Sequence, residues 1–447
     1  MSVPSQADPK AAAAVKPGLS RTVFAIICSL SVATAMGNTG LISVLPAIGR
    51  SIGIPDPMVA AIFSLSAIAW AAMSPFWAQL SDKKGRKPLM MIGITGFVVS
   101  MAISGVVVAA GLRHLAPPMV IFGLFLVARA LFGVFGSASN PAAQAYVAER
   151  TAPENRTQAI ANLAGAFGMG TVLGPFIAPL FILPVLGLAG PLFGFALIAA
   201  VILVVLWRYL PEPRRGEQKA SAAASAVAAK PAVKAATLWR DPRVAPFLIY
   251  GFVTGACQTA QAQTLGFLII DKLGMTPVQA QSLIAVAMMF GAVAALLAQW
   301  GLIRMFQMTP RSLLRWGAGL LAVGNIIVAF APNYSAVVVG FALSSLGAGL
   351  ARPGFTAGSS IAVGNADQAR VAGAVAAVNG ISIVFAPAFI MVYERHHAAP
   401  FLLNVVLLAG MLVFAFASPA LRRAAAQPAT REDTVMATLE QADEGNI

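Results

Sequence analysis

Two arginines, Arg129 in "VARALFGVFG" and Arg352 in "GAGLARPGF", each stand alone inside a long apolar run of this 447-residue chain. A guanidinium stays charged and offers five donors in a planar fork, which suits it to oxyanion binding or ion pairing. Single amides sit in equally apolar surroundings: Asn38 in "AMGNTGLIS", Asn140 in "SASNPAAQ", Gln258 and Gln261 in "GACQTAQAQ", and Asn379 in "AAVNGISI". Gln258 and Gln261 are three apart, a spacing that brings side chains to neighbouring positions on a helix. The chemistry open to this set is recognition by charge and hydrogen bonding. No nucleophile–base pair, phosphate-cradling G-x-x-x-x-G-K-[ST] loop or metal spacing occurs, so neither an enzyme, ATP coupling, a metal nor a cofactor is expected. Cys28 and Cys257 lie singly in apolar runs and make no disulfide framework.

The elements that must position these residues are membrane spans. The chain is 58% hydrophobic and only 10% charged, with 16 acids, which excludes an ordinary water-soluble globule. Apolar runs bounded by charges and turn residues predict twelve helices, near 22–46, 57–79, 88–111, 116–146, 158–181, 184–207, 245–270, 278–303, 312–331, 334–362, 369–393 and 399–421. Between the sixth and seventh runs lies an Ala-rich, basic, proline-punctuated connector. The expected organisation is a cytoplasmic tail (1–21), a six-helix bundle (22–210), the connector (211–243), a second six-helix bundle (244–422) and a cytoplasmic tail (423–447). The first run, "FAIICSLSVATA", mimics a cleavable signal peptide, but its long polar leader and the six-plus-six pattern favour a retained span. The halves echo each other: prolines at 141 and 175 are matched at 353 and 387, an offset of 212 that sets Asn140 on Arg352 and Gly168 on Gly380. Two six-span repeats about an axis along the membrane normal place a binding site between them near the midplane.

With the N-terminus in the cytoplasm, 24 of the 30 Lys and Arg fall on the cytoplasmic side, while Arg50, Arg113, Lys272 and Arg395 fall in outer loops. The positive-inside rule explains this asymmetry. The net charge of +14 is therefore an orientation signal, and no nucleic-acid partner is expected. The densest cationic knot, "AQLSDKKGRKPLM", joins the second and third spans. It resembles the loop signature GxLaDrxGrkxxl of the major facilitator superfamily at Asp82, Gly85, Arg86 and Lys87, with Ala78 in place of the first glycine. In span 5, "GMGTVLGPFIAP" is similar at Gly170, Gly174 and Pro175 to the gxxxGPxxGG bend of the drug:proton antiporters of that superfamily, although Ala178 and Pro179 replace the final glycines. Arg129 and Gly133 resemble its RxxxGxG pattern.

The resemblance implies a twelve-helix, all-α membrane protein of two pseudo-symmetric bundles. It implies a cytoplasmic gate in which Asp82 caps a helix of the other half, Gly85 turns the chain and Arg86 binds Glu149. It also implies export of small amphiphilic, multidrug-type compounds by alternating access with protons as coupling ion, from a monomer in a bacterial inner membrane. Asn38, Arg129, Asn140, Gln258, Gln261, Arg352 and Asn379 are the expected substrate-binding residues. None of the 16 acids falls in mid-span, and Asn38 stands where related exporters often carry an acid. This departure points to an anionic cargo and leaves an importer or facilitator of an organic anion as the alternative. His396 and His397 are expected to be solvated in an outer loop.

Overall fold

A computed structural model describes residues 19–211, 239–363 and 368–423; the expected tails and most of the connector lie outside the described residues, as does the side chain of Asp82. Among the described residues the secondary structure is entirely helical. The first half comprises α1 (Arg21–Ile52), α2 (Asp56–Lys84), α3 (Arg86–Leu112), α4 (Pro118–Leu131), α5 (Ser139–Arg150), α6 (Pro153–Ile177) and α7 (Gly190–Tyr209). The second comprises α8 (Ala245–Leu273), α9 (Pro277–Leu296), α10 (Pro310–Ala329), α11 (Tyr334–Ile361), α12 (Gln368–Ile381), α13 (Ala386–Arg395), α14 (Ala399–Ala417) and the short α15 (Pro419–Arg423). One span joins α4 to α5 and another joins α12 to α13.

Among the described residues, eleven spans are long and apolar enough to cross a membrane. The twelfth expected span, α8, is not among them. Its 29 residues reach about 43 Å, ample for a bilayer. Gln258, Gln261 and Gln263 dilute its apolar character, so composition alone does not mark it as a span. Several helices also run past the apolar stretches that announced them. The expected loop between the second and third spans shrinks to one residue, Gly85 (φ 98°, ψ 166°), because α2 continues through Lys84 and α3 begins at Arg86. At that positive φ a side chain would be strained, so glycine is required.

A π-helical turn, Phe132–Gly136, interrupts the fourth span just after Arg129. Such a turn disturbs the regular backbone ladder, and the Trp77 indole donates to the Val134 carbonyl at 2.6 Å. Phe132 in turn packs against Trp70 and Phe97, with ring centres 5.3 and 5.2 Å apart.

The apolar core has an uneven shape. At the end of the molecule bearing Arg50, buried residues of both halves (among them Val44 and Ile48 of α1 with Leu265 and Ile269 of α8) form one continuous cluster. Pro46 packs where a Cβ on Gly266 would come within 2.5 Å of its ring. At the end bearing Gly85, the second half has a core of its own, built on Phe247, Leu314, Phe355 and Val371. The halves thus share one core at the Arg50 end and keep separate cores at the Gly85 end, where Gly165 of α6 still faces Trp300 of the second half.

Candidate functional site

Between the halves lies a cavity of about 580 Å³, lined by α1, α2, α4, α5 and α6 on one side and by α8, α11 and α12 on the other. Six of the seven expected binding residues line it: Asn38, Arg129, Asn140, Gln258, Arg352 and Asn379. Asn140 and Arg352, equivalent in the repeat, sit on opposite walls. The seventh, Gln261, does not line it. It is buried behind the wall, where its side-chain carbonyl accepts the Ser344 hydroxyl. Helix geometry gives the reason. At about 100° per residue, Gln258, Thr259, Ala262 and Gln263 span one arc of α8, and Gln261 points well away from its centre. Gln263, passed over in the sequence, takes the place expected of Gln261.

Arg129 lies about 16 Å from the start of α4, roughly halfway through a bilayer. It is 1% exposed and donates from Nη2 to Asn38 Oδ1 at 2.7 Å. Its guanidinium also stacks near Phe132 (4.8 Å to the ring centre) and Phe63 (5.5 Å). Nε and Nη1 have no hydrogen-bond acceptor among the described residues. Arg352 is solvent-accessible through the cavity it lines and makes no ion pair among the described residues. No acid is among the described residues that line the cavity.

Two of the expected gate residues meet as anticipated. Arg86 donates from Nε and Nη2 to Glu149 Oε1 at 3.0 and 2.7 Å, and from Nη1 to Ser81 at 2.9 Å. This pair ties α3 to α5 within one half. Lys87, a match to the loop signature with no individual role expected, donates to the carbonyls of Trp207 (3.0 Å) and Leu210 (2.7 Å), capping the C-terminus of α7. Lys87→Met should therefore lower the thermal midpoint of the purified protein by a few degrees, since a cap is worth about 0.5–2 kcal/mol; an unchanged melting curve would count against the cap.

Gly170 and Gly174 press α6 onto α1: a Cβ would meet the Val32 carbonyl at 2.4 Å in the first case and the Met36 carbonyl at 2.3 Å in the second. Pro175 follows within α6, and the helix tightens into a 3₁₀ turn at Ala178–Phe181.

A second charged cluster was not foreseen as a unit. Arg50, in the last turn of α1, donates to Asp56 of α2 (3.1 and 2.6 Å) and, through Nη1 and Nη2, to both carboxylate oxygens of Asp271 on α8. The Tyr393 hydroxyl of α13 donates to Asp271 at 2.6 Å. His397 stacks on Tyr393 at 4.7 Å, its Nε2 3.9 Å from Asp271. This network crosses between the halves at the end where their cores fuse. Its members appeared in the sequence only as scattered loop and rim charges.

The fold and site define a polytopic membrane protein of two helical halves around a shared amphiphilic cavity. The family model described as "Major Facilitator Superfamily" matches residues 27–387, and the chain belongs to that superfamily. It is 28% identical over 193 residues to multidrug resistance protein 2 of Bacillus subtilis (42% of this chain, 44% of the relative). It is 34% identical over 116 residues to the MFS-type transporter avaJ of Aspergillus versicolor (26% of this chain, 21% of the relative). The matches thus span less than half the length of these curated relatives. The fold resembles that of a bacterial homolog of the human lysosomal transporter Spinster in its inward-facing, unoccupied conformation, at TM-score 0.70 and 14% identity, covering 91% of this chain and 98% of that one.

Proposed function

We propose that the protein is a secondary transporter that exports small amphiphilic compounds by alternating access, working as a monomer in a bacterial inner membrane. The observation that carries this reading is the shape of the core: fused at the Arg50 end, divided at the Gly85 end, with an amphiphilic cavity between. Two rigid halves joined at one end can rock about a central site, and the opposite state requires only that one set of contacts be exchanged for another. The cation census assigns the Gly85 end to the cytoplasm, so the conformation described opens inward. Residues 22–210 and 244–422 form the two moving units, with both tails and the 211–243 connector on the cytoplasmic side. Asp82, Gly85, Arg86 and Glu149 make the cytoplasmic gate, and the α6 glycines with Pro175 supply the antiporter-type seal. Export is favoured by the α6 motif and by the multidrug-resistance relative.

The proton gradient is the proposed drive. Because no acid is among the described residues that line the cavity, the proton would move on the cargo itself or through the rim acids Asp82, Glu149, Asp271 or Glu394. The acid-free cavity also favours a second reading, an importer or facilitator of an organic anion with the same fold. Uptake of a mixed panel of amphiphiles into inside-out vesicles, with and without an imposed pH step, tests the proposal. Accumulation stimulated by an acid interior is expected. Downhill equilibration unaffected by the pH step would support the facilitator instead.

A further inference from the structure

We infer that the cavity is an oxyanion receptor, and that its natural cargo is an aromatic compound bearing a carboxylate, sulfonate or comparable group held by Arg129. The inference rests on the transport reading for its biological role but not for its chemistry. Arg129 is almost wholly buried, yet two of its donor nitrogens, Nε and Nη1, have no acceptor among the described residues. Buried charged donors without partners are costly, and native proteins leave few of them without a reason. The one acceptor Arg129 does have is a neutral amide oxygen: Asn38 orients the guanidinium without cancelling its charge. Arg352 adds a second cation to the same lining, and no carboxylate among the lining residues offsets either.

A cavity carrying two uncompensated positive charges inside a low-dielectric slab attracts an anion and repels a cation. Phe63 and Phe132 flank Arg129, Trp70 packs on Phe132, and Phe167 also lines the cavity. An aryl group fits among them while its oxyanion accepts from one of the unpartnered guanidinium nitrogens, Nε or Nη1, once a small side-chain movement uncovers it. Such cargo also offers an energy source that needs no titratable group in the cavity. An inside-negative membrane potential drives a net anion outward, so export can run on the potential alone.

The test uses the full purified chain and four probes of one shape: 2-naphthoate, 2-naphthalenesulfonate, 2-naphthamide and 2-naphthylmethylammonium. Calorimetric titration should show the two oxyanions binding at least tenfold tighter than the amide, with the ammonium weakest. Asn38→Asp places a carboxylate against Arg129 and completes its ion pair, a change that favours folding; it should abolish the oxyanion preference and raise affinity for the ammonium. Arg352→Gln should weaken oxyanion binding severalfold while keeping the rank order. Equal binding of the four, tighter binding of the ammonium, or no oxyanion binding up to about 10 mM would overturn the inference. So would an unaltered preference in folded Asn38→Asp protein. Flux in proteoliposomes separates this from the broader proposal. Oxyanion binding without flux of any probe removes the transport reading and leaves the receptor. Flux of the amide down its gradient, or of the ammonium, with no oxyanion preference does the reverse.

Discussion

Gly174→Val should yield little or no folded protein from membranes. A Cβ at this position would lie 2.3 Å from both the Met36 carbonyl and the Thr39 hydroxyl and 2.7 Å from the Gly40 backbone nitrogen. Two of those three atoms are main chain, so no rotamer change relieves the clash and α6 must separate from α1. Overpacking of a close-packed interior typically costs about 1–3 kcal/mol when side chains can adjust. Here they cannot, and the displaced contact belongs to the principal helix pair of the first half. Small residues at such crossings are what lets membrane helices approach at all. Gly170→Val should behave similarly, since its Cβ would meet the Val32 carbonyl at 2.4 Å. Gly380 is the control: it borders the cavity, and nothing lies within 4 Å of the place a Cβ would take, so Gly380→Ala should fold normally. Fluorescence-detected size-exclusion chromatography of solubilised membranes reads all three. A monodisperse Gly174→Val peak of normal height would show that the α1–α6 crossing is looser than the structure indicates.

Arg50→Gln should shift the protein towards a state open at the Arg50 end. The Arg50 side chain is only 26% exposed and that of Asp271 18%, so the pair is partly shielded from water. Removing the guanidinium deletes charge-assisted hydrogen bonds, each worth about 1.5–3 kcal/mol, and leaves Asp56 and Asp271 as unpaired like charges. A loss of that size changes the ratio of the two states by roughly 10- to 100-fold. Asp271→Asn should act in the same direction but less strongly, because the Tyr393 contact survives and no carboxylate repulsion is introduced. Asp56→Asn should do least, since Asp56 and Arg50 lie in the same half and move together. Spin-label distances across the Arg50 end, measured in nanodiscs, would read the shift. Three variants with the native distance distribution would show that the network contributes nothing to closure.

The spans were legible because each apolar run is long and is stopped by charges or prolines; the structure adds side-chain caps at Ser20, Thr276, Thr309 and Asn333, where the chain enters a helix. Helix ends were less legible. A charge normally marks the end of an apolar run, but Arg50 lies inside α1 and Lys83 and Lys84 inside α2, because each is tolerated at a helix terminus. Six of the seven amide and arginine side chains that line the cavity could be read from isolated polar residues in apolar runs, since lipid leaves such groups few options but to turn inward. The choice between Gln261 and Gln263 could not, because it depends on the rotation of α8 about its axis. That rotation is set by packing: Gln261 is drawn towards Ser344, in a buried group that continues through Asn325 to Asn404. Asp271 was illegible for a different reason. Its partner Arg50 is 221 residues away, and nothing local to either residue announces the pairing.

Two helical halves closed at one end, with the cavity open at the other, are the basis of alternating access here. Side-specific labelling of a cavity cysteine tests this most directly. Asn379→Cys, with Cys28 and Cys257 replaced by Ser and Ala, would be exposed to a membrane-impermeant maleimide in inside-out and in right-side-out vesicles. The account predicts rapid labelling from the cytoplasmic, Gly85 side and slow labelling from the other, with the asymmetry reduced at least severalfold once Arg50→Gln is added. Equal labelling from both sides with Arg50 in place, or faster labelling from the Arg50 side, would contradict it.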